Sequence, residues 1–135
     1  MTRGTKAAHI VRAGVEALAY QVYDLVDAMQ IDSGIQLRTL NVDGGASSND
    51  FLLQFQSDIL RTPLRRPQNT ETTVLGAAYL AGLTTGFWES LARLHDLRRA
   101  DSVFMPEMDD RTQASLLARW HRAVERTMTV APRER

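Results

Sequence analysis

The run Leu40-Asn41-Val42-Asp43-Gly44-Gly45-Ala46-Ser47-Ser48-Asn49, leading into Phe51-Leu52-Leu53-Gln54-Phe55-Gln56-Ser57-Asp58-Ile59-Leu60, constrains this chain most. An apolar strand runs into a Gly-Gly turn, a serine cap and an amphipathic helix whose apolar face is Leu52, Phe55 and Ile59. That order sets free backbone N–H groups and the positive end of a helix dipole beside a surface bare of side chains, which suits a nucleotide. Taken alone, Gly-Gly between strand and helix is more often a tight connection than a ligand site. It is not the G-x-G-x-x-G dinucleotide fingerprint, and no Walker lysine follows. Asp43 suits a turn former or the holder of a magnesium-bound water, and Asn49 suits a helix cap or an amide reaching a base; spacing favours the turn and the cap.

Around this unit the chain reads as α/β. From about Lys6 to Gln30, Val11, Val15, Leu18, Val22, Leu25 and Met29 recur at helical spacing, widened by Ile10, Ala17 and Tyr20, and Ser33-Gly34 ends the helix. Residues Gln36 to Val42 alternate as a short strand. The two prolines of Pro63-Leu64-Arg65-Arg66-Pro67 permit only a very short extended piece. Thr70-Glu71-Thr72-Thr73 opens a helix, Val74 to Leu83, that is apolar nearly all round and so expects burial; Gly86 stops it. Phe87 to Pro106 reads as a connector with one helical turn and a strand near Ser102–Phe104. Gln113, Leu116, Leu117, Trp120, Val124 and Met128 mark an amphipathic helix over 109–128, begun by Asp109 or Asp110. Only two parallel strands emerge, whereas parallel sheets are usually larger and covered on both faces. The first helix also lacks the preceding strand of a βαβ crossover, so the sequence predicts a domain without its first strands.

Composition narrows the function classes. At 135 residues, 44% hydrophobic, the chain suffices for one core. Its net charge of zero argues against nucleic acid, for which Arg65-Arg66, Arg98-Arg99 and Arg133/Arg135 are only short surface pairs. There is no cysteine to form disulfides, thiolate metal sites or a Cys nucleophile. No window has the apolar length of a membrane span, and no signal-peptide pattern opens the chain, so a cytoplasmic location is expected. His9, His95 and His121 are scattered, with no catalytic partner at recognisable spacing; His121 is spaced to pair with Glu125. Asp24/Asp27 and Asp109/Asp110 are poor paired carboxylates. The residues alone describe a nucleotide cradle, with no catalytic residue and no metal site.

Several segments resemble the glycerol kinases of the FGGY family of carbohydrate kinases: Thr2-Arg3-Gly4-Thr5 with Ala8-His9-Ile10-Val11-Arg12-Ala13 and Glu16 to Gln21; Val42-Asp43-Gly44-Gly45-Ala46 with Asn49; Gln54-Phe55-Gln56-Ser57-Asp58-Ile59-Leu60; and Thr73 to Leu83 with Gly86-Phe87-Trp88. Gln-Phe-Gln-Ser-Asp separates this resemblance from the pentulose kinases of the family. The resemblance implies an actin/hexokinase/Hsp70-like (ribonuclease H-like) ATPase fold, of which residues 1–135 are the C-terminal part of the ATP-binding domain. It implies ATP with Mg2+ and transfer of the γ-phosphoryl group to glycerol. It implies that Gly45 lays its backbone against the nucleotide, with Gly44 supporting, and that Asn49 bonds the adenosine end. The phosphate hairpin, the glycerol contacts and the catalytic aspartate are expected upstream of Met1, which stands where the family usually has leucine. On that basis the isolated chain is expected to be inactive. A stand-alone nucleotide-binding or interaction module, and a gene remnant, are the competing readings, with self-association through exposed apolar surface expected. Asp50 departs from a common Asn and Leu53 from a common Met; a carboxylate at 50 facing the site would weaken nucleotide binding.

Overall fold

In the computed structural model, the described residues are 2–97 and 102–128, without the side chains of 95–97. Met1, the His95 side chain, Arg98-Arg99 and Arg133/Arg135 lie outside them. The chain runs α1 (Ala7–Ser33), β1 (Leu40–Asn41), a 3-10 turn (Gly45–Ser48), α2 (Asp50–Leu60), β2 (Leu64–Arg66), α3 (Thr72–Thr84), α4 (Leu91–Leu97), β3 (Ser102–Phe104) and α5 (Asp110–Met128). Strand order is β1-β2-β3. Leu40 pairs with Leu64 in parallel, and Leu64 with Phe104 antiparallel, so the expected parallel sheet is mixed. The strand expected over 36–42 shrinks to two residues.

The centre of the molecule is α2. Its predicted face is buried, with Leu52 at 5%, Phe55 at 7% and Ile59 at 0% exposure. Tyr20 of α1 meets Phe55 edge-on at 5.5 Å and stacks on Trp120 of α5 at 5.2 Å, so three helices share one aromatic seam. Burial pushes the Tyr20 phenol above its usual 10.0, with Glu16 adding to the rise and Arg119 opposing it. Trp120 donates its indole N–H to Asp24 at 2.7 Å, and His121 Nε2 lies 3.1 Å from the same carboxylate. Asp24 is thus a clamp between α1 and α5, holding both Trp120 and His121.

The predicted stripe of α1 is buried only in part: Tyr20 is buried and Val15 and Val22 are half-buried, but the rest stands open. Val11 is 67% exposed, and Leu18, Leu25 and Met29 are exposed as well, whereas Ala19 and Tyr20 are buried with Val15 and Tyr23 beside them. Length explains this. At ~1.5 Å per residue α1 spans about 40 Å and α2 only about 16 Å, so α2 covers one central patch. The all-round apolar α3 has no buried residue, correcting the expectation of burial; Val74 and Leu80 stand open. Its start is also reorganised. The N-cap is Glu71, which makes no side-chain cap bond, and Thr72 donates its hydroxyl to Asp43 instead. After Gly86 (φ 75°) Trp88 folds back against Gly82, where an added Cβ would run into the indole. His9 accepts from the Lys6 N–H at 3.1 Å, capping α1. Asp109 caps α5 through the Thr112 N–H and hydroxyl, bonds that hold its carboxyl below the usual carboxylate value.

Candidate functional site

The turn between β1 and α2 is built by Gly44. At φ 78°, ψ 176° it occupies backbone space that a Cβ disfavours, and its N–H is anchored on Thr70 O at 3.1 Å. Gly45 lies outside the left-handed region, so the conformational need falls on the first glycine. The carbonyl of Gly44 then receives both the N–H (3.1 Å) and the hydroxyl (2.7 Å) of buried Ser47. These bonds close a 3-10 turn that leaves the Gly45 and Ala46 amides without a partner among the described residues, on an exposed surface. A Cβ added to Gly45 would meet nothing within 4 Å. The bare surface expected from the sequence is therefore present, with two free donors on it.

Asn49 performs the expected cap. Its Oδ1 accepts the Leu52 N–H at 3.1 Å, and its amide nitrogen has no partner among the described residues. The Asp43 carboxylate accepts from the Thr72 hydroxyl, a long-range contact to the start of α3. Asp50, the departure from the common Asn, pairs with Arg66 at 2.7 Å. These two side chains, with Ser48, Gln68, Thr70 and Ser102, line an open depression of about 410 Å3 beside the turn. Among the described residues no group of three His, Asp or Glu side chains is placed to hold a metal.

The Gln-Phe-Gln-Ser-Asp run holds the site from behind. Asp58, 8% exposed, accepts from the Glu107 N–H (2.7 Å) and the Met108 N–H (3.1 Å), and Gln54 donates to Met105 O at 2.8 Å. Ser57 Oγ sits 3.0 Å from Thr62 O and 2.9 Å from Phe104 O. Arg61, in the left-handed conformation at φ 55°, caps α2 and reaches Met108 O and Asp110. These polar groups fasten the β3–α5 connection to α2. Sequence reasoning missed them because their partners lie about 50 residues away; a polar run on the inner side of an amphipathic helix is the one signal that marked them.

The strand, glycine turn and helix belong to a fold of the actin-like ATPase class. Solved kinases carry the same fold. A Plasmodium falciparum glycerol kinase with ADP superposes with a TM-score of 0.84 at 42% identity, over 97% of this chain and 26% of that one. A ligand-bound xylulose kinase from Lactobacillus acidophilus gives a TM-score of 0.70 at 21% identity, over 97% of this chain and 26% of that chain. Residues 1–85 match the FGGY family of carbohydrate kinases, C-terminal domain. The chain belongs to the FGGY family of carbohydrate kinases. Its sequence is 56% identical to a glycerol kinase of Dechloromonas aromatica over 95% of this chain and 53% identical to one of Alkaliphilus oremlandii over the same share. It spans about a quarter of the length of these curated relatives, 26% and 25%.

Proposed function

We propose that residues 1–135 are the C-terminal part of the ATP-binding domain of a glycerol kinase, lacking that domain's first strands and ending in the 109–128 helix. The whole enzyme would be a cytoplasmic phosphotransferase moving the γ-phosphoryl group of ATP to glycerol, giving glycerol 3-phosphate. In it, Gly45 and Asn49, with Gly44 supporting, form the adenosine side of the cradle. The observation that carries this reading is the exposed Gly45–Ala46 surface with its two free amides, in a chain superposing at a TM-score of 0.84 on a glycerol kinase with ADP. Mg2+ would accompany the nucleotide, although no group of three His, Asp or Glu among the described residues is placed to hold it.

Phosphoryl transfer rests on placing and neutralising the γ-phosphoryl group from several sides at once. One side of a cradle supplies part of the nucleotide contact and none of the acid–base chemistry. The purified chain is therefore expected to produce no glycerol-dependent ADP above background while shifting its Gly45 and Ala46 amide resonances on addition of ADP. Glycerol-dependent turnover in a preparation free of host kinase would refute the inactivity, and unmoved turn resonances at saturating ADP would refute the cradle in the isolated chain.

A second reading is favoured by one observation. Val74, Leu80, Phe87, Leu18, Leu25 and Met29 are all exposed, which is a large apolar area for a free domain. An interaction module, or a chain that self-associates, follows from that surface. Sedimentation combined with a hydrophobic dye is expected to show association and dye binding. A monomer that binds no dye would remove this reading.

A further inference from the structure

Arg66 is the charged side chain that touches the cradle from outside it. It ends β2, and its side chain is only 18% exposed. One guanidinium nitrogen donates to Ser47 O at 2.8 Å and to Asp50 Oδ1 at 2.7 Å, and the group lies 5.2 Å over the Phe104 ring of β3. Each contact has a distinct consequence. The bond to Ser47 ties the 3-10 turn to β2, adding a second tether beside the Gly44 N–H on Thr70 O. The guanidinium also packs over the Phe104 ring, which steadies the tie. The bond to Asp50 fixes a carboxylate that begins α2, at the end where the helix dipole favours an anion. Left free, that carboxylate would compete with an anionic ligand for the same end of the helix.

We propose that Arg66 is a positioning residue for the nucleotide cradle, tying the Ser47 carbonyl to β2 and holding the Asp50 carboxylate away from the Gly45 surface. This rests on the nucleotide reading of the turn. It also explains how a carboxylate at position 50 is tolerated beside a site for an anion: its charge is paired within the protein. Arg65, one residue earlier, is exposed and has neither contact, so the assignment is specific to position 66.

The test uses the 135-residue chain with Arg66→Gln, Arg66→Lys, Asp50→Asn and the double variant Arg66→Gln/Asp50→Asn. Amide exchange is measured without ligand, and ADP binding is measured by titration. Arg66→Gln is expected to speed exchange at the Ser47 and Asn49 amides about tenfold, with amides of α5 unchanged as the internal check on folding. ADP binding should weaken about tenfold in Arg66→Gln, the scale of a charge-assisted hydrogen bond, and Asp50→Asn alone should change it less than about twofold. Adding Asp50→Asn to Arg66→Gln should recover about threefold, because the unpaired carboxylate is gone. Arg66→Lys should recover part of both effects. Wild-type exchange in the turn of Arg66→Gln, or no gain from Asp50→Asn in that background, would overturn the proposal. If the wild-type chain binds no ADP, the nucleotide reading fails for the isolated chain, while the exchange result still judges whether Arg66 holds the turn.

Discussion

Replacing Gly45 by valine in an intact enzyme that carries this segment is expected to raise the KM for ATP at least about tenfold, equivalent to about 1.4 kcal/mol of lost binding. Stability and the KM for glycerol should scarcely move. The reasoning is steric. A Cβ at 45 meets no protein atom within 4 Å, and the backbone there is not left-handed, so the protein itself tolerates the side chain. Only a ligand lying against the bare turn would feel it. Gly44→Val should behave oppositely, because φ 78° burdens an L residue with strain of about 1–3 kcal/mol and the anchor on Thr70 is then lost with the turn. Asn49→Ala should be milder, removing a cap of about 1 kcal/mol and one amide that could face the base. Steady-state kinetics and melting curves of the three variants separate these effects. A Gly45→Val enzyme that melts early with an unchanged KM for ATP would show that this glycine serves the fold and not the nucleotide.

The largest loss of stability is expected from Phe55→Ala. This side chain is 7% exposed and forms the junction between α1 and α2 through Tyr20, with α5 stacked on the far side of that ring. Truncation should cost about 3–5 kcal/mol, which is a large part of the about 5–15 kcal/mol that holds a domain. Phe51, one turn earlier, is the control. It stacks on Phe55 at 6.1 Å and lies under Arg12 at 5.1 Å, yet is 43% exposed. Phe51→Ala should cost less than about 1.5 kcal/mol, the scale of an exposed aromatic and cation–π contact. Urea denaturation of both variants of the 135-residue chain checks the ranking. Equal losses would mean that the three-helix seam is not the core.

What the sequence determined by itself is local. The three- and four-residue spacing of Leu52, Phe55 and Ile59 marked one buried face of α2, while Leu53, Gln56, Ser57 and Asp58 are buried as well because the helix is packed on more than one side. Pro63 and Pro67 bounded β2 to three residues by removing donors. Two glycines before a serine pair announced a turn with free amides, and the capping of Asn49 followed from its place before an apolar run. Tertiary structure decided the rest. It buried Tyr20, with Ala19 beside it, and left Val11, Leu18 and Leu25 of the predicted stripe open, since α1 outreaches the helix that covers it. It left α3 open, because an apolar composition says that a helix seeks cover and not whether cover is there. It also set Asp24 against Trp120, Asp58 against Glu107 and Met108, and Arg66 against Ser47 and Asp50. Those pairs are 16 to 96 residues apart. Propensity and periodicity act over one or two turns, so contacts of that range are written only when the chain closes on itself.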